Sequence, residues 1–412
     1  MREPIERCRS CDAAGLLSIL DLGCTPLANA LLTAEQLDQP EPTYPLELVF
    51  CTACGLVQIT ATVPPEELFR DYVYLSSFSD TMVEHARSLA DRLIATRRLS
   101  SGSLVVEAAS NDGYLLQHYR RAGVAVLGVE PAANVARVAI EQRGIPTVAE
   151  FFGTDLAKRL RGEGKQADVF HAHNVLAHVA DLNGFVRGIC TILKDDGIAV
   201  IEVPYVKELV DRCEFDTIYH EHLCYFSLTA LDRLFRRHGL VIRDVEQIPI
   251  HGGSLRLFAG HGDAHEAPQG RVAGLLHQEA EWGVDRFAYY RDFAASVVRL
   301  KESLRSLVGQ LKGAGRRLAA YGASAKGSTL LNYVEIGRGP LEFVADRSTA
   351  KQGRYTPGTR LPIRPPASLL EEMPDYVLLL TWNFAEEILA QQAEYRRRGG
   401  RFIVPVPAVQ VI

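Results

Sequence analysis

Several features are missing from this chain of 412 residues, and each absence narrows what it can be. It has no basic block. The 45 Lys+Arg are outnumbered by 50 Asp+Glu, leaving a net charge of −5, which argues against a nucleic-acid footprint. No uninterrupted apolar run approaches the length of a membrane span, and the opening segment MREPIERCRSC holds no apolar signal-like region. There is no repeat of roughly 20–50 residues and no low-complexity tract. These absences predict a cytoplasmic globular protein whose partners are neither nucleic acid nor membrane. The length allows two or three domains.

What is present begins with cysteine. Eight occur, and four of them form two pairs, Cys8-x-x-Cys11 and Cys51-x-x-Cys54. A reducing cytoplasm makes a disulfide framework a poor explanation. Thiolates two residues apart can grip one ion, and two such pairs fill a tetrahedron, leaving no place for water. The spacing predicts a closed, structural zinc site in a segment with little core of its own.

A helical stretch, TMVEHARSLADRLIATRR, leads into βα alternation. SLVVEAAS, VAVLGVE, ADVFHAHNV and IAVIEVPYV read as strands, with NDGYLLQHYRRAG and ANVARVAIEQRG as helices between them. Such alternation implies a mostly parallel, doubly wound sheet. From about 268 to 312 the pattern is long, charged and helical. Strand candidates then resume with RLAAYGAS, LEFVADRS, DYVLLLTW and RFIVPVP. The expected fold is α/β throughout: a zinc-binding module at 1–70, a Rossmann-like domain with connecting helices at 71–310, and a smaller C-terminal α/β Rossmann-like domain at 311–412.

The segment Glu107-Ala-Ala-Ser-Asn-Asp-Gly113 follows an apolar strand and opens a helix, and the next strand ends in Gly128-Val-Glu130. An acid at the end of the second strand is suited to the hydroxyls of a ribose. The loop lacks the glycines that would seat a pyrophosphate, and it begins with an acid, Glu107. S-adenosylmethionine therefore fits better than a dinucleotide. A separate run, Tyr219-His220-Glu221-His222, places four ionisable side chains in a row.

These segments together resemble the three-domain sugar C-methyltransferases that act on TDP-linked 4-keto-deoxyhexoses in antibiotic sugar biosynthesis. The resemblance runs from the two CxxC pairs through LGCTPLAN (22–29), YVYLSS (72–77), EAASNDG (107–113), NVLAHVADL (174–182), TIYHEHLCYFS (217–227) and HGGSLR (251–256) to YGASAKG (321–327) and TWNFAEEI (381–388). The family usually carries Gly where this chain has Ala109.

The resemblance implies a division of roles. Glu107, Ser110, Asn111, Asp112, Gly113, Glu130 and Asn174 would hold S-adenosylmethionine. Zinc would sit on Cys8, Cys11, Cys51 and Cys54. His222 would be the catalytic base, with Tyr219, Glu221, His178 and Tyr74 around it. Tyr72, His220, His251, Arg256 and Lys326 would bind a nucleotide-sugar, a TDP-4-keto-deoxyhexose, in a monomer or weak dimer. C-methylation beside a ketone requires a base near neutrality and donors for the enolate oxygen. C3 is the expected carbon, and C5 is the other one that the ketone activates; the rival reading of another class is a nucleotide-sugar oxidoreductase or dehydratase, for which the chain shows no nicotinamide fingerprint.

Overall fold

The computed structural model describes residues 4–69, 75–263 and 265–412, with the side chains of Phe69 and His251 left out. Tyr72 and Tyr74 lie outside the described residues. Along the chain come β1 (Leu16–Thr25), β2 (Tyr44–Cys51) and β3 (Val57–Ile59), then β4 (Leu104–Ala108), β5 (Ala125–Val129), β6 (Thr147–Val148), β7 (Ala167–His173) and β8 (Leu193–Pro204). They are followed by β9 (Cys224–Tyr225), β10 (Leu240–Ile248) and β11 (Ser254–His261). The last group is β12 (Leu318–Tyr321), β13 (Val344–Ala345), β14 (Ile363–Arg364), β15 (Tyr376–Leu379), β16 (Arg401–Val404) and β17 (Gln410–Val411).

The strands form three sheets. The central one runs β10-β11-β8-β7-β4-β5-β6. β4, β5, β6, β7 and β8 are parallel, while β10 and β11 add an antiparallel hairpin on the β8 edge. Val105, Val106, Val169, Phe170, Val200 and Ile201 are fully buried. That is why these strands read as continuous apolar runs rather than alternating ones. The C-terminal sheet is β14-β13-β12-β15-β16-β17, parallel except for β17. Helices Gly270–Trp282 and Ala288–Gly313 lie between the two larger sheets in sequence. No helix of the described residues is long and apolar enough to cross a membrane.

The smallest sheet is antiparallel, ordered β1-β2-β3-β9. Its fourth strand comes from far along the chain. Val57 pairs with Tyr225 and Gln58 with Cys224, and the Ile59 amide donates to the Leu223 carbonyl at 3.0 Å. The expectation of a core-poor segment is corrected here: Leu46, Leu48, Phe50, Leu56, Val57 and Ile59 are buried and continuous with the main core. The module packs on the rest of the protein rather than standing apart from it.

Candidate active site and zinc centre

The four cysteines are free thiols whose sulfurs all lie within 4.8 Å of one another. Cys8 Sγ and Cys54 Sγ are 3.6 Å apart, and Cys11 Sγ and Cys51 Sγ 3.5 Å. A tetrahedral zinc with Zn–S of about 2.3 Å needs sulfurs about 3.8 Å apart, so the set fits the ion with little adjustment. Cys8 also receives hydrogen bonds from Gln58 Nε2 at 3.2 Å and the Ser10 amide at 3.4 Å, which suit a thiolate. Arg9 threads through the same region, donating to the carbonyls of Ile59 and Ala61 at 2.5 and 2.9 Å.

At the carboxyl ends of β4, β5 and β7, buried polar atoms converge with nothing to bond. Glu107 Oε2, Ser110 Oγ and Asn174 Oδ1 have no hydrogen-bond partner among the described residues. Complete burial, with Glu130, Asp112 and Glu202 nearby, holds the Glu107 carboxyl well above the usual carboxylate range. An unpaired buried acid of this kind is costly and is suited to receive a cation. The loop after β4 is contorted: Ala109, Asn111 and Gly113 have φ of 52°, 48° and 78°. A side chain on Gly113 would meet Ile145 Cγ1 at 2.9 Å, and one on Gly128 would meet Ser110 Oγ at 2.5 Å.

Glu130 staples this loop to the next turn, accepting from the Asn111 amide and from the Ala132 amide, each at 2.9 Å. Burial raises its carboxyl, and these two donors draw it back down. Asp112 is fully buried. Its carboxylate lies 3.2 Å from Arg143 on helix Ala133–Arg143, and Arg143 also donates to the Asp112 carbonyl at 2.8 Å.

The second cluster follows β7 and precedes β9. His222 Nδ1 faces the Thr217 carbonyl at 3.1 Å, and its Nε2 faces the Tyr219 hydroxyl at 2.9 Å. A carbonyl only accepts, so Nδ1 carries a proton, and in the neutral imidazole Nε2 accepts from the phenol. His178 stands edge-on to His222, with ring centroids 4.8 Å apart. Burial pushes its imidazole down to about 4, against the backbone at Glu221 and Asn174, which favours the charged form. Burial pushes the Glu221 carboxyl up to about 7, partly offset by Asn29, whose Nδ2 donates to Glu221 Oε1 at 2.6 Å.

Two of the expected substrate residues already bond protein groups. His220 Nε2 faces the Pro45 carbonyl at 3.2 Å, and its ring packs edge-on against Tyr44. Although adjacent in sequence to the His222 group, it closes the contact with the N-terminal module. Arg256 pairs with two acids, donating to the buried Glu202 Oε1 at 2.6 Å and the half-buried Glu246 Oε2 at 3.1 Å. Lys326 lies at the start of helix Ala325–Val334, its ammonium 4.8 Å from the centre of the Trp382 ring.

Three groups near these sites were not singled out from sequence. Trp382 Nε1 donates to the buried Asp216 at 2.7 Å, joining the C-terminal domain to the segment before Tyr219. Glu214, beside it, is raised to about 7 by burial, against the pull of Lys326. Under the sheet, Tyr119 bonds His171 at 2.8 Å, His171 bonds His173 at 3.0 Å, and His85 and Arg256 meet on Glu202. Strand alternation placed His171 and His173 on one face in principle, but nothing in the sequence named their partners.

Three family models cover nearly the whole chain: a zinc binding domain at residues 8–69, a methyltransferase domain at 82–245, and a C-methyltransferase C-terminal domain at 249–407. The C-methyltransferase NovU of Streptomyces niveus is 38% identical over 409 residues, 99% of this chain and 97% of NovU. The chain belongs to this C-methyltransferase family. It is an S-adenosylmethionine-dependent C-methyltransferase with a zinc-binding module, and the polar groups at the ends of β4, β5 and β7 lie where its methyltransferase domain matches. A ubiquinone biosynthesis O-methyltransferase of Methylobacterium sp. (strain 4-46) is 25% identical over 182 residues, 40% of this chain and 70% of that enzyme. Among solved structures, a magnesium protoporphyrin IX methyltransferase of Synechocystis PCC 6803 covers 44% of the C-methyltransferase and 83% of its own chain, at 17% identity and a TM-score of 0.35.

Proposed function

We propose that this C-methyltransferase transfers a methyl group to C3 of a TDP-linked 4-keto-6-deoxyhexose, by way of an enolate formed by His222. C5 is the alternative carbon. The observation that carries the reading is the fixed tautomer of His222. With Nδ1–H spent on the Thr217 carbonyl, the lone pair of Nε2 is left for proton removal. The Tyr219 hydroxyl occupies that lone pair here, so the phenol either yields to the substrate or passes its proton on as it accepts one.

His178, neutral near pH 7 because it is buried, is suited to donate a hydrogen bond to the enolate oxygen. A neutral imidazole can do this without first losing a proton to solvent. Glu221, titrating close to neutrality, can carry the released proton away. S-adenosylmethionine supplies the electrophilic methyl group. Glu107 holds its ammonium, Glu130 its ribose, and Ser110, Asn111, Gly113 and Asn174 shape the intervening wall. Exposed Phe151, just beyond β6, offers a flat apolar surface for the adenine. Asp112 acts one step back, by holding helix Ala133–Arg143.

On the C-terminal side, Lys326 and the start of its helix offer charge to the diphosphate. The division of labour proposed with these roles is 1–70, 71–310 and 311–412. The relative NovU carries the word C-methyltransferase in its name, which supports carbon as the acceptor.

The test mixes purified protein, S-adenosylmethionine and a panel of TDP-4-keto-6-deoxyhexoses, read by mass spectrometry. A one-methylene gain on a TDP-sugar, with S-adenosylhomocysteine formed in step, is the expected result. NMR of that product separates C3 from C5. No gain on any sugar, with cofactor binding intact, removes this acceptor class.

A further inference from the structure

The segment LGCTPLAN was conspicuous in the sequence, yet neither the zinc site nor the cofactor site uses it. In the structure it leaves β1 at Thr25, turns at Leu27–Leu31, and brings Asn29 to the loop that carries His222. The segment is anchored from its far side as well. Leu32 and Tyr355 exchange both backbone hydrogen bonds at 2.9 Å, and Arg360 donates to the carbonyls of Leu37 and Gln39 at 2.6 and 3.0 Å. Asn29 is therefore held between the C-terminal domain and the catalytic loop.

We infer that Asn29 is a positioning residue: its side-chain amide fixes the Glu221 carboxylate within the His222 loop. The inference rests on reading that loop as the catalytic one. Glu221 is 6% exposed and therefore has little water to solvate its charge. The Asn29 amide supplies a donor at 2.6 Å, and a hydrogen bond to the ionised form favours ionisation. The titratable groups around Glu221 are Tyr219, His220 and His222 on its own loop, His178 from the segment after β7, and Tyr44 from β2. Two influences act on the carboxyl: burial raises it, and Asn29 lowers it. Among the described residues, no lysine or arginine acts on it.

The same contact fixes the backbone. The Glu221 main chain faces the His178 ring, and His178 packs on His222. A Glu221 that swings free would disturb both histidines. Asn29 thus sets the charge of one group and the place of two others without touching the reacting atoms.

The test reads Glu221 directly, so it needs no acceptor sugar. Infrared difference spectra taken across pH identify the Glu221 carboxyl band by its loss in Glu221→Gln. In Asn29→Ala the midpoint of that band is expected to rise by about one pH unit, since a hydrogen bond to the charged form is lost and water returns only part of it. In Asn29→Asp it is expected to rise further, because two carboxyls then share the site. A merely steric role would be kept by the isosteric Asp and lost in Ala, so Asn29→Asp would then leave the midpoint where it is. Equal midpoints in all three proteins overturn the inference. Loss of zinc or of S-adenosylmethionine binding in both variants also overturns it, because Asn29 would then be holding the module together. Shifted midpoints in a protein that methylates no keto-sugar retire the acceptor reading and leave Asn29 in its role.

Discussion

The hydroxyl of Tyr219 sits 2.9 Å from Nε2 of His222, and the two rings are tilted by 32° with centroids 4.2 Å apart. The base and the phenol form one unit, so removing either has a distinct signature. His222→Ala is expected to lower methyl transfer about 10²–10⁴-fold and to leave S-adenosylmethionine affinity unchanged, as read by calorimetric titration. Tyr219→Phe frees the imidazole and loses one hydrogen bond, so it should cost only about tenfold. Near-wild-type turnover in His222→Ala would remove His222 as the base. Solvent deuterium wash-in at the sugar carbon, with S-adenosylhomocysteine bound, should follow the same ranking.

Ala109 occupies a left-handed conformation at φ 52°, which costs a residue with a β-carbon about 1–2 kcal/mol. Glycine removes that cost and gives back roughly 0.5–1 kcal/mol through its freer unfolded chain. Ala109→Gly is therefore expected to stabilise the protein by up to about 1 kcal/mol in a denaturant melt, with cofactor affinity equal or better. A destabilised variant would show that the methyl group packs usefully against the loop.

Burial raises Glu214 to about 7, and Asp216 to about 6 against the pull of Lys326. The folded value of Glu214 lies above its ordinary 4.5, so the advantage of keeping it neutral is complete below that value and is lost as pH rises through about 7. Glu214→Gln should raise the melting temperature at pH 8 by roughly 2 °C or more and change it little at pH 5. An equal gain at both pH values would assign the effect to packing instead of charge.

One zinc per chain is expected from elemental analysis of protein purified without chelator, and Cys51→Ser should lose it. Because β3 pairs with β9, metal loss should reach the His222 loop. Transfer should fall by more than cofactor affinity does, since Glu107 and Glu130 belong to a separate sheet. Equal loss of both would mean that the module supports the whole fold.

The doubly wound core was legible because its strands are buried on both faces and bounded by turns. The two CxxC pairs were legible because their spacing is chemistry in itself. The hairpin β10–β11 was not, since nothing local announces that a strand after a helix will reverse direction. The side-chain partners were not legible for one reason, which is that neighbours in sequence can face different partners. His220 and His222 are two apart, yet one ring meets Pro45 and the other Tyr219. For Arg256 the sequence left substrate anchoring and pairing with an acid both open, and the acid, Glu202, lies on the adjacent strand. Asn29 and Glu221, or Asp216 and Trp382, meet only across the tertiary fold, where no local periodicity reaches.

The strand that completes the N-terminal sheet also governs how the chain can be cut and made. Val57, Gln58 and Ile59 are fully buried because Cys224 and Tyr225 lie alongside them. During synthesis that edge emerges long before its partner does, and unpaired edges invite pairing with other chains. A fragment ending near residue 70 would present the same open edge permanently. The module is expected to aggregate when expressed alone, even with its zinc bound, and a peptide spanning Leu223–Phe226 supplied in trans should keep it in solution.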